Sequence, residues 1–109
     1  MKLIVAIVQD EDASRLINSL MDEGYSVTKL ATTGGFLRAG NTTLLIGLQA
    51  VKLEQAMEII EKVCKSRKQI ATTPSPMSGG NGGYIPFPIE VVVGGATVFV
   101  LDVDQFKKF

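Results

Sequence analysis

A glycine-rich stretch over residues 32–43, TTGGFLRAGNTT, contains the side chains of this sequence that are best suited to binding chemistry. From Gly35 it reads G-x-x-x-x-G, and Asn41 and Thr42 then stand where a phosphate-binding P-loop has Lys followed by Ser or Thr. A P-loop joins a strand to a helix, whereas the apolar residues after Asn41 predict a strand. The stretch is therefore not a P-loop. A hairpin turn without a ligand and a loop that binds a different kind of nucleotide both stay open.

Glycines and apolar side chains within this stretch favour a ligand. Gly35 and Gly40 allow backbone N–H groups to converge on an anion. Phe36 and Leu37 are apolar residues at a loop tip, where a loop without a ligand is expected to carry polar ones. The ring of Phe36 is suited to stack on a flat base. We therefore expect the short loop over residues 34–42 to bind a ligand.

Two polar side chains of the loop suit different parts of a nucleotide. Arg38 can reach phosphate oxygens or help to order the loop. Asn41 offers both a donor and an acceptor, which suits the edge of an adenine better than a phosphate. The formal net charge of the chain is zero, so an anionic ligand must be held by local groups of this kind.

Composition restricts the classes of function further. The chain has 109 residues, 46% of them hydrophobic and 20% charged, which predicts a single globular domain over residues 1–109. It has no histidine and one cysteine, which excludes Ser-His-Asp and Cys-His nucleophile pairs and His- or thiolate-ligated metal sites. We expect no enzyme activity, no cofactor and no metal.

The longest apolar run, LIVAIV, is too short for a membrane span. It follows Met1-Lys2 directly and leaves no room for a signal peptide, so we expect a cytoplasmic protein.

Strands and helices in the first half of the chain must position this loop. Residues 2–8 are continuously apolar and β-rich, which predicts a central strand covered on both faces. Apolar residues at helical spacing predict a helix that is capped by Asp10 or Asp12 and ended by Gly24. Residues 26–33 are β-branched and of mixed polarity, which predicts a second strand.

The second half of the chain begins with the same kinds of element. Residues 43–49 predict a third strand, and apolar residues at helical spacing predict a second helix from Lys52 to near Arg67. All four prolines and four of the eleven glycines lie in residues 72–88, where they exclude a helix or a central strand. We expect a long flexible loop over residues 68–89.

The end of the chain completes the predicted fold. EVVV and ATVFVLDV flank Gly94-Gly95, which predicts a hairpin whose two-residue turn has positive φ angles. The order of elements then predicts an α+β, ferredoxin-like βαββαβ sandwich with an extra C-terminal hairpin strand. Its helices lie on one face of an antiparallel sheet. The apolar residues of the other face indicate a homo-oligomer in which sheets of neighbouring subunits meet.

Three runs carry a more specific resemblance: LATTGGFLRAGNTT, GG-ATVFVLDV, and the Pro/Gly-rich loop that ends in YIPFP. In their residues and in their order along the chain, these runs resemble the PII-like cyclic di-AMP receptor family of Gram-positive bacteria. The resemblance covers essentially the full chain. The resemblance implies a non-catalytic signal transduction receptor that forms a homotrimer. Cyclic di-AMP would lie in clefts between adjacent subunits and reorder the loops, and an unknown downstream protein partner would read the change.

The resemblance also assigns ligand-binding residues. Thr28 matches a strand hydroxyl near one adenine, Asn41 an amide that reads an adenine edge, and Gly47 a point where backbone approaches the ligand. Phe99 matches an aromatic that lines the cleft, although core packing explains its position equally well. The complete set is Thr28, Gly35, Phe36, Leu37, Arg38, Asn41, Gly47 and Phe99.

Two departures and several rival functions complete the expectations. Ser26 stands where some relatives have an arginine, and Lys108 stands where an amide can occur. The nearest rivals are a PII-like sensor of another adenine nucleotide such as ATP, and a trimeric adaptor without a ligand. An RNA-recognition module would need a basic face and aromatics in its central strands, so we expect neither nucleic acid nor a membrane as a partner. A small ferredoxin-like enzyme is the other alternative, since fold alone does not decide function.

Overall fold

The computed structural model of the protein describes residues 1–30, 40–74 and 86–109. These three ranges contain six strands and two helices, with a short 3-10 turn ahead of the second helix. In chain order they are β1 (Lys2–Gln9), α1 (Asp10–Asp22), β2 (Ser26–Lys29), β3 (Asn41–Leu48), the 3-10 turn (Ala50–Lys52), α2 (Leu53–Cys64), β4 (Arg67–Pro74), β5 (Pro86–Val93) and β6 (Ala96–Asp102).

Four of the strands form one antiparallel sheet in the order β2-β3-β1-β6. The apolar strand β1 is central, as its sequence predicts, but the helices cover one of its faces rather than both. Both helices pack on one side of this sheet, and the architecture is α+β and consistent with a small ferredoxin-like fold. The last strand is the fourth strand of the sheet, so the prediction of an extra C-terminal hairpin strand was wrong.

The core lies between the helices and one face of the sheet. Alternate residues of β1 enter it, and Ile4 is fully buried. Leu16 and Leu20 of α1 and Ile60 of α2 meet them, because residues three or four apart fall on one side of a helix. Burial of this amphipathic surface, more than helix propensity, stabilises both helices.

The helix ends agree with the sequence in one case and differ in two. Gly24 has φ +88°, and its N–H donates to Met21 O at 3.0 Å, so it ends α1 as predicted. The aspartate cap was wrong, because Gln9 precedes the helix and Asp10 is already its first residue. The second helix ends at Cys64 rather than near Arg67, because the chain turns into an extended conformation at the next residue.

Strands β4 and β5 form a separate two-stranded ribbon. The prediction of a loop over all of residues 68–89 was therefore wrong at both ends of that range. Pro74 pairs with Pro86 in this ribbon. Among the described residues each of its two strands has one partner strand, and the other edge of such a strand tolerates a residue that lacks an N–H. Residues 72–74 and 86–88, the parts of the 72–88 range that the structure describes, lie in this ribbon and in neither a helix nor a central strand, as predicted. Residues 75–85 lie outside the described parts.

The predicted hairpin at Gly94-Gly95 was also wrong. Both glycines have the expected positive φ, +80° and +95°, but β5 pairs with β4 while β6 pairs with β1. The two glycines make a corner between two sheets. Gly94 N–H donates to Gln9 Oε1 at 2.7 Å, and Gly95 N–H donates to the carbonyl of Cys64. A turn signal specifies local backbone angles, whereas the choice of partner strand is made by distant residues.

The remaining differences concern strand ends. Strand β2 ends at Lys29, short of the predicted 26–33, while β3 begins two residues earlier than predicted, at Asn41. Within the three described ranges, no helix is both long enough and apolar enough to cross a membrane.

Candidate functional site

One side of the four-stranded sheet is left uncovered by the helices, and we call it the open face. It carries the residues of β1 that alternate with the buried ones: Leu3, Val5 and Ile7, each half-buried. On β6 the same side carries Phe99 and Leu101, which are 53% and 49% exposed. A contiguous apolar surface of this kind in a folded chain marks a contact site.

All four predicted site residues that the structure describes lie on the open face. Directly paired residues of an antiparallel sheet project to the same side, and successive residues alternate. Thr28 pairs with Leu45, and Phe99 pairs with Val5. Gly47 and Asn41 follow the same alternation along β3, because the residues between them, Leu44 and Ile46, point into the core.

Within one chain, the open face brings only some of these four residues close together. Thr28, Leu45, Val5 and Phe99 form one row across the sheet. Thr28 and Phe99 therefore lie on opposite edge strands, about 14 Å apart at three strand spacings. Thr28 and Gly47 are diagonal neighbours and lie close together, since Gly47 pairs with Ser26. The structure thus brings two of the four residues together and leaves the other two apart.

Asn41 is the first residue of β3 and pairs with Gln9, the last residue of β1. Two cavities of about 400 Å³ and 390 Å³ adjoin this pair, and both residues line both cavities. The second cavity is also lined by Ile7 and by residues 94–97. Amide, hydroxyl and peptide groups around the pair can donate to and accept from a base or a phosphate.

Gln9 is the residue of this region that the sequence analysis missed. It is half-buried and touches both the Asn41 position and the Gly94 corner. Its place at the end of an apolar strand does not indicate a binding role in the sequence. The two residues that it contacts, Asn41 and Gly94, are distant in the chain. Only the strand register could have identified it.

The next residue, Asp10, anchors the C-terminal end of the predicted ligand loop. Its backbone N–H donates to Gly40 O at 2.8 Å, and its carboxylate accepts a hydrogen bond from the Thr42 hydroxyl. Asp10 thus holds Gly40 and Thr42, the two residues that flank Asn41 in the chain. The predicted site residues Gly35, Phe36, Leu37 and Arg38 lie outside the described residues.

Among the described ionisable groups, altered pKa values occur away from the open face. Burial raises the pKa of the Cys64 thiol to about 11, and burial also raises the pKa of Tyr25. The hydrogen bond to Asp12 raises the pKa of Arg67, and the hydrogen bond from Lys2 lowers that of Asp102. In residues 1–30, 40–74 and 86–109, no cluster of three acidic or cysteine side chains could hold a metal ion.

An apolar groove of about 360 Å³ lies on the other side of the sheet, between α2 and β6. Met57, Ile60 and Val98 line it. It contains none of the predicted ligand-binding residues, and it faces away from them because Val98 belongs to the helix-covered side of β6. We therefore take the open face and the Gln9–Asn41 end of the sheet as the candidate site.

Comparison with known proteins finds similarity over essentially the whole chain. A crystal structure of a functionally unknown protein from Pediococcus pentosaceus ATCC 25745 matches with a TM-score of 0.77 and 44% sequence identity, over 99% of this chain and 96% of that chain. The model of the family described as cyclic-di-AMP receptor matches residues 1–109. Since that match spans the whole sequence, the chain belongs to the cyclic-di-AMP receptor family.

Proposed function

We propose that this chain is a non-catalytic signal transduction receptor that binds cyclic di-AMP between the subunits of a PII-like homotrimer in the cytoplasm. The observation that carries the proposal is the spread of Thr28, Asn41 and Phe99 over one apolar open face. Thr28 and Phe99 of one chain lie about 14 Å apart, on strands at opposite edges of the described sheet. Contact between copies through the open face would bring residues of different chains into one cleft.

The ligand suits the types of residue assigned to this cleft. Cyclic di-AMP has two adenines and two phosphates, and the chain has no net charge to attract a dianion. Binding therefore depends on stacking and amide recognition. In the proposal, Gly35, Phe36, Leu37 and Arg38 form the loop that wraps the ligand, and Asn41 reads an adenine edge.

The glycine in the middle of β3 supports an external contact. Gly47 is exposed, and in the described part of the chain a Cβ built there would meet the Met1 methyl group at an ordinary 3.5 Å. Its φ is not positive. Neither backbone conformation nor internal packing therefore requires glycine here. A ligand or a neighbouring subunit that lies directly on the backbone would require it.

The proposed function is tested by calorimetric titration of the purified protein with cyclic di-AMP, with cyclic di-GMP and ATP as controls. We expect selective binding of cyclic di-AMP, near one ligand per subunit, since guanine presents a mismatched edge to Asn41. Light scattering should give the mass of three chains. No heat and no thermal shift with cyclic di-AMP would reject the ligand, and a mass of one chain would reject the interface site.

Ligand binding should also change the segment over residues 68–89, through which we propose that a downstream protein partner reads the signal. Hydrogen exchange of this segment is expected to slow when cyclic di-AMP is added. Identical exchange with and without ligand would contradict that role.

A further inference from the structure

The side chain of Gln9 joins two regions that the proposed function uses separately. Its backbone pairs with Asn41 at the end of the β1–β3 ladder. Its Oε1 accepts a hydrogen bond of 2.7 Å from the N–H of Gly94, which lies 85 residues away in the sequence. One half-buried residue thus adjoins the ligand-binding end of the open face and also holds the corner that leads out of the β4–β5 ribbon.

The corner that Gln9 holds is closely enclosed. A Cβ built on Gly94 would lie 2.5 Å from Arg67 Nη1 and 2.8 Å from Lys65 O. Gly95 N–H donates to the carbonyl of Cys64, at the end of α2. Displacement of the corner must therefore displace the start of β4 as well, because there is no space between them to absorb the movement.

The two ends of the ribbon meet at this corner. Arg67 begins β4 and Val93 ends β5, and these two residues pair with each other. Arg67 is also held by the buried carboxylate of Asp12, at 2.8 Å. The position of the corner therefore sets the position of the ribbon base against α1 and β1.

We infer that Gln9 is a positioning residue that transmits occupancy of the Asn41 end of the cleft to the β4–β5 ribbon. This inference rests on the proposed function, since it requires a ligand at Asn41. A ligand seated beside Asn41 restricts the side chain of Gln9, which lines the same two cavities. With its rotamer restricted, Oε1 stays on the N–H of Gly94, and the bound state stabilises the corner relative to the free state.

The first arm of the test uses the protein without ligand. Gln9→Met keeps the length of the side chain and removes the acceptor, so the amide of Gly94 should exchange about 2- to 12-fold faster. Gln9→Glu restores an acceptor oxygen and should return that amide to slow exchange. Gln49→Met makes the same chemical change at an exposed glutamine beyond the opposite end of β1 and β3, and it should leave Gly94 unaffected.

The second arm adds saturating cyclic di-AMP and measures exchange at the corner, over residues 94–96, and at the ribbon base, over residues 64–67. Wild type and Gln49→Met should show slower exchange with ligand. Gln9→Met should lose this protection when cyclic di-AMP is raised to the concentration that saturates this variant in calorimetry. Full ligand-induced protection in Gln9→Met would overturn the inference alone. No binding by the wild-type chain would overturn the proposed function and the inference together.

Discussion

The carboxylate of Asp12 and the guanidinium of Arg67 form a two-point ion pair across 55 residues of sequence. Arg67 Nη2 donates to Oδ1 at 2.8 Å and Nη1 donates to Oδ2 at 3.3 Å, while Asp12 is 1% exposed. Arg15 adds a third contact at 3.3 Å. The pair fixes the first residue of β4 against the first turn of α1. The ribbon is thus attached to the helical layer by a buried charge.

Removal of Arg67 should therefore destabilise the fold. We expect Arg67→Met to lower the Tm by about 5–10 °C, because among the described side chains the buried carboxylate of Asp12 would then keep Arg15 alone as a partner. The double variant with Asp12→Asn should recover part of this loss, since the uncompensated charge is then gone. Thermal unfolding of both variants and of Asp12→Asn alone completes the cycle. Strictly additive shifts would contradict a direct interaction between the two side chains.

Two glycines with similar φ angles offer a matched test of the Gly94 corner. Gly24 at φ +88° has open space around the position of a Cβ, whereas Gly94 at φ +80° is crowded by Arg67 and Lys65. Gly24→Ala should cost about 1–2 kcal/mol of unfolding free energy from backbone strain alone. Gly94→Ala should cost clearly more, because it also displaces its neighbours. Urea denaturation measures both, and equal losses would show that the corner is not tightly packed.

Stability should fall in alkaline solution because of Cys64. Burial raises the pKa of its thiol from 9.0 to about 11, with a further contribution from Asp12. Below pH 9 the thiol is protonated in both the folded and unfolded states, so its full contribution to the free energy of unfolding is present. Between pH 9 and pH 11 the unfolded chain releases the proton first, so stability decreases by up to about 1.4 kcal/mol per pH unit. Above the folded pKa the loss is complete.

The variant Cys64→Ala isolates this effect from the other groups that titrate in the same range. The difference in unfolding free energy between wild type and Cys64→Ala should shrink as the pH rises from 8 to 11. Urea titrations at several pH values measure it. A difference that is independent of pH would mean that the thiol has the same pKa in both states.

Neighbouring residues of β6 test the proposed trimer. Leu101 projects from the open face and Val100 from the opposite side of the strand, and they are 49% and 40% exposed. Leu101→Lys should dissociate the trimer, because it places a charge in an apolar interface. Val100→Lys should leave the mass unchanged at the same chain concentration. Light scattering distinguishes the outcomes, and a trimer that survives Leu101→Lys would place the interface elsewhere.

Ser26 lies next to Gly47 on the open face and tests whether ligand binds there. Ser26→Arg should tighten cyclic di-AMP binding by about 2- to 5-fold, since it adds a cation beside an adenine face at a partly exposed site. Ser19→Arg gives the same change of net charge on helix α1. Calorimetry on both variants should show a gain for the first alone. Equal affinities of wild type and Ser26→Arg for cyclic di-AMP would show that Ser26 does not line the cleft.

Much of the layer that faces the core follows from local pattern. The apolar run of β1, the helical spacing of Leu16 and Leu20 and the positive φ of Gly24 all appear in the structure where the sequence predicts them. Each of these features depends on residues that are near one another in the chain. Two of the predictions that failed, an aspartate cap on α1 and a hairpin at Gly94-Gly95, involve residues that form hydrogen bonds with distant partners.

The candidate site shows the same division. Residue type alone indicates that Asn41 suits a base edge and that Gly47 suits close approach, and the alternation of β3 places both on one side of the strand. Gln9 could not be identified in this way. Its neighbours Asn41 and Gly94 are 32 and 85 residues away, and strand pairing alone brings them together.

The sequence by itself determined the periodicity of β1 and of both helices, the apolar character of both faces of β1, and the family to which the chain belongs. The tertiary structure decided that β6 pairs with β1 and β5 with β4, and that Asp12 is buried against Arg67. It also separated Thr28 from Phe99 across the open face. The physical reason is that backbone angles and amphipathic spacing are local properties, whereas strand pairing and charge burial are chosen by competition among all the surfaces of the chain.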